Sequence, residues 1–129
     1  MRIATWNINS VRLRLQHVLR FIKEYDIDVI CLQETKTEDK FFPKAELKDI
    51  GMIYCCFRGE KSYNGVAIFS KIPIKSHSYE LWCGLNDTRH ISITLENNLK
   101  IHNFYVPAGG DIPDIKLSEK FNHKIKFIK

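Results

Sequence analysis

Two oxygen-bearing side chains stand at the ends of the first two apolar segments: Asn7 closes one and Glu34 closes the other. If those segments are neighbouring parallel strands, both side chains emerge at the same carboxyl edge, where ligand sites of α/β sheets gather. An amide and a carboxylate there offer hard oxygens to Mg²⁺, an ion that keeps several waters and needs few protein ligands. The same residues serve plainer ends in many proteins, Asn7 as a helix cap and Glu34 as a solvated strand end. Spacing alone leaves both uses open.

Other candidates are spread along the chain. Asn103 and Tyr105 share parity on the last strand, and a tyrosine at a strand edge can present its hydroxyl to a phosphate oxygen or simply pack. Arg89 opens a strand with a side chain whose fork suits phosphate. Tyr63-Asn64-Gly65 reads as a turn carrying an aromatic that could meet a nucleic-acid backbone. The histidines at 17, 77, 90, 102 and 123 form no H-x-x-x-H pair, and no Ser/His/Asp or Gly-rich phosphate-loop pattern is present. Cys31, Cys55, Cys56 and Cys83 lack C-x-x-C spacing and read as core or incidental thiols, not as zinc ligands or a disulfide framework.

The elements that must position these residues follow from periodicity. Residues 2–7 read as a first strand, with Ser10 as N-cap of a helix whose Val11, Leu15, Val18, Leu19 and Ile22 form one face. Asp26 ends that helix. Val29-Ile30-Cys31-Leu32 is continuously apolar, the mark of a strand buried on both faces. A short helix over 43–50 has Pro at its start and Gly51 past its end. Strands are expected at 52–57, 65–70, 77–82, 90–95 and 99–105, with a hairpin turn at 96–98. In 90–95 the alternation is strict and aims Ile91, Ile93 and Leu95 inward. A Pro- and Gly-containing loop over 106–117 precedes a final helix from Ser118, with Phe121, Ile125 and Ile128 on one face. A βαβ opening followed by antiparallel strands predicts a mixed sheet with helices on one face.

Four stretches in this order, ATWNINSVRLRL, DVICLQETK, YNGVAIFSK and HNFYVPAGGD, resemble the N-terminal half of the exonuclease III family of AP endonucleases. The similarity runs over residues 1–129. It implies an α+β fold of the DNase I-like, endonuclease/exonuclease/phosphatase type: a β-sandwich flanked by helices, with only the first half present. It implies metal-assisted hydrolysis with Mg²⁺ or Mn²⁺ on double-stranded DNA carrying abasic sites or 3′ ends. Glu34 matches the family's principal metal ligand, Asn7 an active-site asparagine beside metal and phosphate, and Tyr105 the tyrosine next to the scissile phosphate. Arg12, Lys36, Tyr63 and Arg89 fall where family members support the site or touch the DNA backbone.

The departure from the family is as informative. Its second half should bring a G-D-x-N strand end and a terminal S-D-H, and nothing after Tyr105 resembles either. Groups that act as a unit lose orders of magnitude in rate when one is missing, so these residues alone are expected to be inactive or nearly so. If each half supplies mainly one sheet, Ile91, Ile93 and Leu95 should form an exposed apolar patch that drives self-association or binds a separate C-terminal half. Two other readings keep the fold: a non-catalytic DNA-binding module, and a phosphoesterase of the wider superfamily acting on another substrate.

Composition sets the outer bounds. The chain has 129 residues, a formal net charge of +5, and 44% hydrophobic residues, which suits one folded unit and excludes a disordered one. Residues 1–25 and 116–129 each carry five cationic side chains against one glutamate, so basic charge gathers at the two ends. That balance permits an acidic partner such as nucleic acid. No window suits a transmembrane helix and the start has no apolar leader, so a cytoplasmic, membrane-free location is expected.

Overall fold

The computed structural model describes all residues except 82–84 and 86. Strand β1 (Ile3–Asn7) runs parallel to β2 (Val29–Gln33), and helix α1 (Leu15–Glu24) crosses between them. Helix α2 (Lys44–Asp49) leads into a hairpin of β3 (Tyr54–Glu60) and β4 (Tyr63–Ser70), and β4 pairs antiparallel with β2. Strands β5 (Ile74–Ser78), β6 (His90–Leu95) and β7 (Lys100–Phe104) make a second, antiparallel sheet, followed by α3 (Glu119–Ile128). The strand orders are β1-β2-β4-β3 and β5-β6-β7.

The continuous apolar run of β2 is covered on both faces. Ile30 and Leu32 pack with Val18, Ile22, Leu47 and Phe69 beneath α1 and α2. Val29 and Cys31 point the other way and join Val66 and Ile68 against Ile91, Ile93 and Leu95. Those three residues are at most 1% exposed. The expected apolar patch is therefore absent, because this chain supplies both sheets of its sandwich and β6 closes on β2 and β4 directly. The mixed sheet with helices on one face is present as expected, and its other face is covered by the antiparallel sheet, so that helices, mixed sheet and antiparallel sheet lie in layers. Each such side chain contributes roughly 1.5–3 kcal/mol by leaving water, and self-association through that face loses its basis.

Several boundaries move for local reasons. Helix α1 starts at Leu15, not after Ser10: Ser10 takes a φ of 84°, and the Arg14 N–H reaches its carbonyl at 3.2 Å. The resulting turn drops Val11 into the core before the helix begins. Tyr63-Asn64-Gly65 lies inside β4, and the chain reverses at Lys61-Ser62, where Ser62 has a φ of 65°. The strand expected at 77–82 is displaced to Ile74–Ser78; Trp82 and Cys83 lie outside the described residues. Ser118 caps α3, its hydroxyl accepting the Phe121 N–H at 3.2 Å. Burial pushes the Cys31 and Cys56 thiols up to about 11, as befits unreactive core positions. Among the described residues no helix is long and apolar enough to cross a membrane.

Candidate active site

Parallel pairing sets Asn7 opposite Gln33, so Glu34 leaves the sheet edge beside Asn7. The Asn7 Nδ2 donates to Glu34 Oε1 at 3.0 Å. The two loops that follow these strands are zipped together: the Ile8 N–H reaches the Gln33 carbonyl at 2.9 Å and the Ser10 N–H reaches that of Glu34 at 2.8 Å. Asn9, Ser10, Glu34 and Lys36 all have positive φ, between 46° and 84°. A non-glycine residue in this region costs roughly 1–2 kcal/mol, and such strain collects where a side chain must be aimed. Gly65 buttresses the loop from β4: its carbonyl accepts the Thr35 N–H, and a Cβ there would stand 2.0 Å from Thr35 Oγ1.

Tyr105, just past β7, closes the site from the other sheet. Its hydroxyl donates to the same Glu34 Oε1 at 2.8 Å. The Lys36 ammonium lies 3.4 Å from Oε2 and donates to Asn9 Oδ1 at 2.5 Å. The Asn7 amide, with the Tyr105 hydroxyl and Lys36 adding to it against burial, holds the Glu34 carboxyl below the usual carboxylate range. Burial first, and then the hydrogen bond to Glu34, pushes the Tyr105 phenol up. At neutral pH the site is an ionised carboxylate ringed by an amide, a protonated phenol and an ammonium.

The remaining candidates divide between this centre and its surroundings. Arg12 and Lys36 line a cleft of about 180 Å³ together with Phe41, Lys61 and one acidic side chain, Glu38, so cations outnumber anions there three to one. The Arg12 guanidinium lies 5.5 Å from the centre of the exposed Phe41 ring. Tyr63 is 70% exposed at the start of β4, beside the cleft-lining Ser62. Arg89, in contrast, is engaged. Its Nε donates to Asp87 Oδ2 at 2.6 Å, and its guanidinium sits over the Tyr105 ring, 4.7 Å from the ring centre. The backbones also meet, the Tyr105 N–H reaching the Arg89 carbonyl at 2.8 Å. Arg89 thus braces Tyr105. Asp87 was not singled out from the sequence; its signal was the Asp-x-Arg spacing, which puts both side chains on one side of an extended segment. Asn9 was missed as well, because a turn asparagine looks like turn chemistry alone.

Among the described residues no group of three or more His, Cys, Asp or Glu could hold a metal ion. A Mg²⁺ or Mn²⁺ site needs less than that, and the donor set at Glu34 fits one. The carboxylate is ionised, and the Asn7 amide oxygen has only a 3.3 Å bond from the Asn9 N–H. Thiolate and imidazole ligands are absent from this group, which does not suit zinc.

Residues 4–124 match the family described as Endonuclease/Exonuclease/phosphatase family. An exodeoxyribonuclease of Bacillus subtilis (strain 168) is 33% identical over 111 residues, which are 83% of this chain and 43% of that protein. An AP endonuclease from Archaeoglobus fulgidus superposes with a TM-score of 0.88 at 38% identity, covering 99% of this chain and 48% of the other. The 3′ phosphatase NExo from Neisseria, bound to product DNA hairpin, gives 0.86 at 33% identity over 97% and 47% of the two chains. The chain spans about half the length of these relatives.

Proposed function

Because the chain belongs to the endonuclease/exonuclease/phosphatase family and has the DNase I-like fold, we propose that it is the N-terminal half of an exonuclease III-type DNA-repair nuclease. That nuclease hydrolyses phosphodiester bonds at abasic sites and 3′ ends of duplex DNA in the cytoplasm. The observation that carries this reading is the meeting of Asn7, Tyr105 and Glu34 on one carboxylate oxygen, at 3.0 and 2.8 Å, beside a basic cleft.

Each side chain has a share of the work. Glu34 and the Asn7 amide oxygen would hold Mg²⁺ or Mn²⁺, which when bound offsets charge developing on the phosphate and leaving oxygen. Tyr105, kept protonated, presents a donor where a phosphate oxygen would lie. Arg12 and Lys36 give the neighbouring phosphates a positive wall, and Tyr63 adds an exposed aromatic face. Arg89 keeps Tyr105 aimed.

The missing parts are those of the G-D-x-N and S-D-H motifs, so turnover by these residues alone is expected to be slight. A separate C-terminal half would complete the site. The open strands β1 and β7, with the cleft of about 340 Å³ between them lined by Ile3, Thr5, Ile101 and Phe104, are where it would add. The test is incubation with an abasic-site duplex and Mg²⁺. At most trace incision is expected from the chain alone, lost in Glu34→Gln and raised by orders of magnitude when the second half of the Bacillus relative is added. Salt-sensitive duplex binding with no cleavage under any of these conditions would instead favour a non-catalytic DNA-binding module.

A further inference from the structure

We propose that Asn103 is a positioning residue, an inter-sheet latch that sets the Tyr105 hydroxyl on the Glu34 carboxylate. The functional meaning of the latch rests on the reading of Glu34 and Tyr105 given above; its geometry does not.

Glu34 extends from β2 in one sheet and Tyr105 from β7 in the other, so their contact depends on how the two sheets are placed against each other. The apolar layer between them, Val29, Cys31, Val66 and Ile68 against Ile91, Ile93 and Leu95, resists separation. Hydrophobic contact is non-directional and fixes sliding poorly. A 2.8 Å O–H···O bond tolerates only a few tenths of an ångström of slippage. Something directional has to hold the register at this end of the sandwich.

Asn103 has the right bonds in the right place. It is 2% exposed and shares the inward face of β7 with Tyr105, two residues on. Its Nδ2 donates to the Leu32 and Ala67 carbonyls, both at 2.9 Å, and these two residues face each other across the β2–β4 pair. Its Oδ1 accepts from Gln33 Nε2 at 2.7 Å, and Gln33 immediately precedes Glu34. The same Gln33 Nε2 lies 2.9 Å from Thr5 Oγ1 on β1, the strand that ends in Asn7. One amide pair therefore ties together β1, β2, β4 and β7, including every strand that delivers a residue to the Glu34 centre. Only an amide fits this role, because two donors and one acceptor are all used. Aspartate could not donate to the carbonyls, and leucine would leave them without this partner while filling the same space.

The test is a solution NMR measurement on the full chain. The native protein should show a nuclear Overhauser cross-peak between the Tyr105 ring protons and the Glu34 side-chain methylene. Both Asn103 amide protons should exchange far more slowly than those of exposed Asn98. In Asn103→Leu the Tyr105–Glu34 cross-peak should be lost, while methyl cross-peaks between Ile68 and Ile93 persist. Ile93→Val, a core variant away from the latch, should keep it. Gln33→Met, which removes the 2.7 Å bond but leaves the two carbonyl bonds, should weaken the same cross-peak and is read in place of Asn103→Leu if that variant does not fold. A cross-peak of native intensity in either latch variant, or fast exchange of the Asn103 amide, overturns the proposal. Neither nucleic acid nor metal enters these readouts, so they stand or fall apart from the nuclease reading.

Discussion

The Tyr105 hydroxyl donates to Glu34 Oε1 at 2.8 Å, although 71 residues separate the two in sequence. Asn7 and Lys36 converge on the same carboxylate from the neighbouring loops. The Tyr105 contact adds to both shifts, after the Asn7 amide in holding the Glu34 carboxyl down and after burial in pushing the Tyr105 phenol up.

Tyr105→Phe removes one of the donors that stabilise ionised Glu34. The Glu34 carboxyl should then titrate closer to its ordinary value of 4.5. A carboxyl depressed in the folded state contributes stability that is fully present above the unfolded-state pKa and is lost as pH falls through the folded one. The variant should therefore be less stable than the native chain by about 1 kcal/mol at pH 7, with the difference vanishing below the Glu34 titration. Carboxyl carbon shifts of Glu34 and urea midpoints at the two pH values measure this. An unmoved Glu34 titration would show that the hydroxyl bond is not made in solution.

His90 predicts a second acid-sensitive step. It is 1% exposed, its Nε2 lies 3.0 Å from His102 Nδ1, and its Nδ1 accepts the Glu80 N–H at 3.0 Å. Burial, then the charge of His102 with Arg58 and Lys100 behind it, pulls its pKa below the ordinary 6.5, with Glu80 opposing. The fold thus favours neutral His90, and its contribution is complete above the unfolded-state value and declines as pH drops below it. The urea midpoint should begin to fall below about pH 6.5, before carboxylates titrate. In His90→Gln that first step should disappear, leaving only the acid limb.

Gly65 and Gly51 make a matched pair, both with a φ of 93°. At Gly51 an added Cβ meets nothing within 4 Å, whereas at Gly65 it would stand 2.0 Å from Thr35 Oγ1 and 3.3 Å from the Lys36 nitrogen. Gly51→Ala should cost only the backbone penalty, about 1–2 kcal/mol. Gly65→Ala should cost clearly more and displace the loop that carries Glu34. Denaturant midpoints give the first comparison, and the Glu34 and Lys36 amide shifts give the second. Equal costs at the two positions would mean that the loop yields without resistance.

The site's raw materials were legible in the sequence and its wiring was only partly so. The apolar run ending at Glu34 and the βαβ order put Asn7 and Glu34 at one edge, because pairing direction follows from a crossover of that length. The motif around Tyr105 brought in the third member only through resemblance, since no periodicity links residues on different sheets. The inner face of β6 was read correctly from its alternation, yet its partner was assigned to a missing half. Alternation tells which side is apolar and says nothing of what covers it. Asp87 stays hidden for a related reason, and so do the partners of Asn103, because a guanidinium and backbone carbonyls are brought near only by tertiary packing. Local strain at Ser10 and Glu34 is equally invisible, because neither residue type signals a positive φ as glycine or asparagine does.

Asp87 and Arg89 should prove coupled beyond an ordinary surface pair. Their side chains are 18% and 16% exposed, the Nε–Oδ2 distance is 2.6 Å, and His123 on α3 brings its Nε2 to 4.0 Å from the same Asp87 oxygen. Solvent-exposed ion pairs contribute roughly 0–1 kcal/mol, but here the guanidinium is also stacked on Tyr105, so releasing it loses packing as well as charge. Asp87→Ala and Arg89→Met, alone and together, form a double-mutant cycle in urea unfolding. The coupling energy should exceed about 1 kcal/mol. Asp87→Ala should also shift the Tyr105 ring resonances, although Asp87 makes no bond to that ring, because the brace between them is lost. A coupling near zero with unchanged Tyr105 shifts would favour the other of the two roles expected of Arg89, contact with the DNA backbone, over support of the site.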